Sequence, residues 1–595
     1  MISKLTAALT FLELALVLAL SVRLLRQTKY EYAHRVRRPT LGDYALAAVT
    51  ALVLTVLRGS FPVLSYLGCG FVLTLLLILW IDVALYGCFT FELGLGGIQD
   101  VVLSNLLVEV LKMRCARQFF QTHRAFLLLP LILPLGLLIL FLSPGSPQRL
   151  TLEAALLLYF SLAFGGSPNT EALPDIRSSA TRNALLYDFL RPRWPVIPAH
   201  FRVRPEHLFL FGPLTPSPTQ SSVHGLLCGA SVVLLTFESL GSSHLAPGAA
   251  VTPFLSAICD DKHSISSAAH FCLAPLTNAA HIALYHSRHR LSTAFDGSPP
   301  SRSHLDQLVR AGYLTLYLTA ARADHYGLSD ILREAGFAHI IDGTVLSHHT
   351  GIERVTDAAL LTAGIAEVTL RIRQHHGPFF LHVHAANAHL PHHVEDSQRF
   401  SRHDQEDDRS RFLNSIEETD TLFGQLWNAL CELSQQRGMD QQPPLLVIGS
   451  DHGQSFGEQG YRSHASAVST EQTQVPLVFH HPRLSRSVIP WSTHFQVLPS
   501  ALDLLGVPAV SGQSSSLFAA QDSPNCLLWD GQPSRSTSGC LGLLLGDRKY
   551  SLDLIRDTCI ESDWRDRDGH PIDGEDRVYF EALIGLLAKY HGVLR

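Results

Sequence analysis

The apolar residues of this 595-residue chain are unevenly spread, and this asymmetry limits the folds open to it more than any other feature. Nearly all long apolar runs lie before residue 166, at roughly 6–22, 42–58, 64–86, 126–143 and 150–165. Each approaches the ~20 apolar residues that a bilayer crossing requires, so residues 1–166 read as a transmembrane helical domain of about five spans. A cleaved signal peptide fits poorly, because further runs follow the first and no small-residue cleavage site stands behind it. The stretch 93–112 carries Asp100, Asn105 and Glu109 among Leu and Val and reads as an interfacial or re-entrant helix. The loop with Arg23, Arg26, Lys29, Arg35, Arg37 and Arg38 belongs in the cytoplasm by the positive-inside rule. Five spans then leave the remainder cytoplasmic as well, whereas a further crossing at 93–112 moves it outside, so charge does not settle the side.

Residues 167–229 form a linker with interfacial segments, Pro-rich at PRWPVIP and PLTPSPTQSS. From about residue 230 short apolar runs (SVVLLTF, LTLYL, FFLHV, LLVIG, PLVFH) alternate with helix-period stretches such as SIEETDTLFGQLWNALCEL. That alternation predicts an α/β domain with a mainly parallel central sheet over 230–520, followed by a small C-terminal subdomain over 521–595. The net charge of -6 and the lack of a Lys/Arg cluster with interleaved aromatics argue against nucleic acid as a partner. Ten cysteines occur without a CxxC pair, which excludes a zinc ribbon. Cys259 with Cys272, or Cys526 with Cys540, are candidate disulfides if this part faces an oxidising compartment.

In parallel sheets ligands gather beyond the carboxyl ends of the strands. Here those ends carry Glu238 after SVVLLTF, the His382/His384/His389 group in and after FFLHV, and Asp451-His452 after LLVIG. A single acid after a strand is usually a turn or cap residue. Three strand ends delivering carboxylates and imidazoles to one rim point to a divalent metal, with Zn or Mn suiting the mixed N/O donors better than Ca.

These segments resemble the alkaline phosphatase–sulfatase superfamily, and within it the membrane-anchored branch of lipoteichoic acid synthases and phosphoethanolamine transferases. SDHGQSFGEQGYRSHA followed by QVPLVFHHP resembles the late metal segment, with Asp451 and His452 as ligands; VVLLTFESL followed by VTPFL resembles the early one, with Glu238 as first ligand. HFQVLPSALDLLGVP and GQSSSLF are similar to the family's tail, so the likeness covers roughly 230–595.

Two threonines compete as nucleophile. Thr219 in TPSPTQSSVHGLLCG superficially resembles the sulfatase motif but precedes the Glu238 strand, whereas the family places its nucleophile after that strand. Thr277 in APLTNAAHIALYH follows it and heads a helical run, where backbone N–H groups and the helix dipole favour a phosphoryl group. Thr277 is therefore assigned as nucleophile and as a metal ligand with Glu238, Asp451 and His452; the alternative is an ordinary N-cap. No CxPSR-like sulfatase motif is present, so the resemblance implies a phospho-threonine intermediate and phosphoryl transfer. His389, just before Leu390-Pro391, and His464 resemble the family's substrate-binding histidines. His382 and His384 share a strand face and are read as packing; Glu458 is read as holding its loop by hydrogen bonds.

Neither substrate signature of the branch is kept. ESLGSSHL replaces the transferases' Arg-x-Asp-His pattern, and Tyr326 and Leu328 replace the synthases' Trp-x-Arg. The resulting expectation is an integral, multi-pass, metal-dependent phosphotransferase with an extracytoplasmic catalytic domain. It takes a phosphoethanolamine- or glycerol phosphate-type group from a phospholipid donor to a glycan or lipid acceptor. The alternatives are a sulfatase-like hydrolase of sulfate or phosphate esters, and a catalytically inactive membrane-anchored binding protein.

Overall fold

In the computed structural model, residues 2–32, 41–89, 120–164, 195–211 and 221–593 are described, less short stretches within the last three, the longest being 290–302 and 532–538. Segment 93–112, Thr219, Tyr326 and linker residues 167–194 lie outside the described residues. The chain divides into two units, residues 1–193 with 534–537, and 194–533 with 538–595.

In the first unit each predicted apolar run overlaps an α-helix among the described residues: Ile2–Tyr32, Leu41–Ser60, Pro62–Phe89, Arg124–Leu137 and Pro147–Phe164. Among the described residues one helix, at Tyr66–Ala84, is long and apolar enough to cross a membrane, by length and composition only; Thr10–Val22, Ala47–Leu57 and Phe126–Leu137 are shorter apolar stretches. Leu67, Phe71 and Leu131 are exposed on these helices. Arg149 is buried between Glu13 and Glu153, with its Nε 2.8 Å from Glu153 Oε1. A cation inside an apolar bundle survives only when paired in this way.

The second unit is built on an eight-stranded sheet in the spatial order Ser487–Ile489, Ser264–Ser267, Leu477–His480, Leu445–Ser450, Val232–Phe237, Phe379–His384, Leu314–Thr319, His339–Ile341. The five strands from Leu445–Ser450 to His339–Ile341 are mutually parallel. The PLVFH strand is different, pairing antiparallel with both neighbours. Along Val232–Phe237, Val232 and Leu234 join one buried cluster while Val233, Leu235 and Phe237 join another. The first is covered by helices including Thr277–His286 and His494–Leu505, the second by Asp408–Gln436. Burial on both faces explains why this strand reads as an unbroken apolar run rather than an alternating one.

The C-terminal subdomain is a five-stranded antiparallel meander from Asn525–Trp529 to Gly569–Pro571, covered by the helix Gly574–Tyr590. Neither candidate cysteine pair is joined: Cys259, Cys272, Cys526 and Cys540 are all free thiols. Cys526 faces Leu544 across the ladder. Cys540 therefore lies four residues further along, about 13 Å at the usual strand rise, beyond disulfide reach. Cys272 is buried and donates from Sγ to the Gln472 carbonyl at 3.4 Å.

Lys549 lies in the same sheet, fully buried, with Nζ 3.5 Å from Thr473 Oγ1. Burial brings its amine down to about 8, with Glu471 opposing the shift. A base depressed in the folded state costs stability while charged, and the cost is relieved as pH rises from about 8 toward the unfolded value near 10.5. Relative to Lys549→Met, the native chain is expected to gain up to about 3 kcal/mol over that window. Thermal unfolding of both proteins at pH 7.5 and 10 checks this, and parallel pH curves would contradict it.

Candidate metal centre and nucleophile

Parallel register brings the strand ends abreast. Phe237 pairs with Ser450 and Thr236 with His384, so Glu238 and Asp451 leave the sheet side by side with His384 just behind them. Glu238, His384, Asp451 and His452 are all buried. Ser239 takes the turn at φ +64°, a left-handed conformation rare for serine and typical of strained functional loops. The turn lets Ser239 N donate to Asp451 Oδ1 at 3.0 Å and Ser239 Oγ donate to Glu238 Oε1 at 2.8 Å. Gly453 of the DHG sequence is required by close approach, since a Cβ there would lie 2.0 Å from the Glu471 carbonyl.

Asp451 Oδ1 also accepts from His452 N at 2.7 Å, and Oδ2 is left buried without a hydrogen-bond partner. His452 Nδ1 sits 3.1 Å from the Gly453 carbonyl, which can only accept. A neutral His452 therefore carries its proton on Nδ1 and turns the Nε2 lone pair inward. That lone pair faces Asp451 Oδ2 at 3.2 Å, Glu238 Oε1 at 3.6 Å and Thr277 Oγ1 at 3.3 Å. The His452 lone pair and the two carboxylate oxygens have no proton between them, which is costly when buried. A cation among them removes the conflict, so the residues present fit a divalent metal.

The charges respond accordingly. Burial and the neighbouring Glu238 carboxylate push the Asp451 carboxyl up. Burial alone would also raise Glu238, but the hydrogen bond from His384 brings it well below the usual carboxylate range.

Thr277 is the first residue of the helix Thr277–His286, preceded by an extended Leu276 in the capping position. It is therefore not the N-cap, and its half-buried hydroxyl is 3.5 Å from Glu238 Oε2 instead. Ala280 N makes the first intrahelical bond, to Leu276 O, so the N–H groups of residues 277–279 precede it. Toward the surface the His464 ring stands 4.5 Å from His452 and 5.4 Å from the exposed His389, forming a column of imidazoles that leads outward. Ser463 and Ala465 hold His464 between two left-handed residues, at φ +64° and +54°. Burial holds the His464 imidazole well below its ordinary value. Glu458 accepts from Phe456 N at 2.6 Å and fixes its own loop, as expected.

Reading His384 as packing needs correction. His382 does pack, with Nδ1 2.7 Å from Tyr285 Oη, but His384 Nε2 is 3.2 Å from Glu238 Oε2 and 4.0 Å from Asp451 Oδ2. Burial would lower the His384 imidazole, yet the hydrogen bond to Glu238 and the Asp451 charge carry it above the ordinary value. The available signal was position: His384 is the last strand residue, beside a known rim.

Residues 230–507 match the protein-family model described as Sulfatase. The lipoteichoic acid synthase LtaP from Listeria monocytogenes is similar at 16% identity, with 64% of this chain and 96% of that chain covered and a TM-score of 0.50. A protein in the alkaline phosphatase superfamily from Vibrio parahaemolyticus follows at 15% identity, covering 64% and 93%, with a TM-score of 0.49. The phosphonate monoester hydrolase of Agrobacterium radiobacter stands at 15%, covering 61% and 96%, with a TM-score of 0.46. At these identities the likeness concerns the fold. No curated protein matches the chain in sequence.

Proposed function

We propose that this chain, whose residues 230–507 match the Sulfatase family model, is a membrane-bound, metal-dependent phosphotransferase acting through a phospho-threonine on Thr277. One observation carries the reading: a threonine hydroxyl at a helix start lies 3.3 Å from the inward lone pair of His452, beside the Glu238 carboxylate. Glu238, Thr277, Asp451 and His452 would hold the metal, and the nitrogen and oxygen donors suit Zn or Mn. Such a cation supplies positive charge that lowers the hydroxyl's pKa and neutralises phosphoryl oxygens.

Thr277 Oγ, its hydroxyl proton released to solvent, attacks phosphorus in line, the bond to the lipid alcohol breaks, and His389, at the outer end of the imidazole column, delivers a proton to the departing oxygen. The N–H groups at the start of the helix receive the equatorial oxygens. A glycan or lipid acceptor then takes the head group from Thr277; water in that role would make the chain an ester hydrolase. The apolar helix at Tyr66–Ala84 and the outward Leu67 and Phe71 support a membrane anchor that keeps the site near a phospholipid donor. Further crossings by the four other apolar helices, and an extracytoplasmic catalytic domain, belong to the same proposal.

The test is to incubate the full-length protein with mixed phospholipids and measure intact and peptide masses. An adduct on Thr277 is expected, and its mass identifies the head group. Lipid turnover with Thr277 unmodified throughout would refute the covalent route.

A further inference from the structure

We propose that His384 is a fifth protein ligand to the cation, and that Thr236, His382 and Tyr285 hold it in the ligating tautomer; this rests on the metal-dependent reading above. The spacing of donor atoms supports it. Five donors about 2.1 Å from one ion are roughly 3–4.2 Å apart by simple geometry. The observed separations are 3.2 Å from His384 Nε2 to Glu238 and 4.0 Å to Asp451, 3.2 Å from His452 to Asp451, and 3.3 and 3.5 Å from Thr277 to His452 and Glu238. His384 Nε2 thus stands within ligand-to-ligand range of both carboxylates, and the Asp451 oxygen it faces, Oδ2, is buried with no hydrogen-bond partner. A shared ion serves both oxygens.

The surroundings fix the tautomer. A ligating histidine usually gives its other N–H to a fixed acceptor. With Nε2 on the ion, His384 Nδ1–H donates to Thr236 Oγ1 at 2.9 Å. The Thr236 hydroxyl then donates to His382 Nε2 at 2.8 Å, and His382 Nδ1–H donates to Tyr285 Oη at 2.7 Å. His281 lies near His382 and His384 but has both nitrogens engaged elsewhere, Nδ1 with the Thr277 carbonyl at 2.8 Å and Nε2 with Tyr317 Oη at 2.9 Å. Among these three histidines, only His384 has a nitrogen directed at the carboxylates. Thr236 is accordingly a positioning residue.

The full-length protein, stripped of metal and reloaded with Co²⁺, gives a visible spectrum that reports coordination number, because four-coordinate cobalt absorbs more strongly than five-coordinate. His384→Ala is expected to intensify these bands and to weaken Zn²⁺ binding, measured by chelator competition, more than about 100-fold, beyond the 10–100-fold typical of an outer partner. Thr236→Val keeps the strand and the imidazole, and is expected to weaken Zn²⁺ binding by about 10–100-fold. An unchanged cobalt spectrum in His384→Ala would overturn the fifth ligand, with or without weaker binding, and leave the metal reading intact. A native chain that takes up neither ion would overturn both. If His384→Ala does not fold, native Zn²⁺ affinity in Thr236→Val overturns the proposal by itself.

Discussion

Thr277→Ala is expected to lower turnover by on the order of 10⁴-fold or more, with little change in stability and no covalent intermediate. The separation of the two effects follows from where the residue sits. An N-cap threonine contributes about 1 kcal/mol, and its loss would show in thermal unfolding. Here Leu276 occupies the capping position without a side-chain bond, and the Thr277 hydroxyl points at Glu238 and His452. Thr277→Ser keeps the hydroxyl and is expected to keep most of the activity together with the mass adduct. Steady-state rates beside unfolding curves make the comparison. Activity of Thr277→Ala within about tenfold of native would place the nucleophile elsewhere.

Asp451→Asn is expected to show opposite effects with and without metal. With metal, losing a ligand charge costs on the order of 10³-fold in rate, as stripping the metal from the native chain also does. Without metal, the same change is expected to stabilise the fold by about 1–2 kcal/mol near pH 7, because it relieves two adjacent buried carboxylates. The asparagine Oδ1 still accepts from Ser239 N and His452 N, so the turn is kept. The pH dependence has a definite sign. The Asp451 carboxyl is raised in the folded state by burial and by Glu238. Its ionisation therefore costs stability, absent below the ordinary carboxylate range near 3.8 and growing as pH rises through the folded value. Metal-free native protein should accordingly fall behind metal-free Asp451→Asn as pH rises from about 4. Calorimetry of both proteins, stripped and reloaded, checks the crossing; a metal-free Asp451→Asn less stable than native at neutral pH would contradict it.

The sheet was legible from the chain because strands buried on both faces announce themselves as continuous apolar runs, and SVVLLTF, LTLYL, FFLHV and LLVIG all became parallel strands. PLVFH looks the same in sequence yet runs antiparallel, since direction depends on the connection and not on the apolar pattern. The cysteine spacings allowed two disulfides, but ladder register separated Cys526 from Cys540, a quantity that sequence distance does not encode.

The candidate site divides in the same way. Residue types and their places after apolar runs were enough to nominate Glu238, Asp451 and His452, because a parallel sheet sends every strand end to one rim, whereas Thr277 was reached through the order of segments in the resembled family and its place at a helix start. Which histidine beside that rim meets the carboxylates depended on where Phe379–His384 stops and on its register against Thr236. The inward lone pair of His452 depended on the Gly453 carbonyl, and the aim of His384 on the Thr236 hydroxyl. The sequence determined which donors the chain owns and the end of the sheet where they emerge. Only tertiary structure decided which way each imidazole faces, because a ring's orientation and tautomer are set by the partner on its far nitrogen, and that partner is supplied by contacts made across the fold.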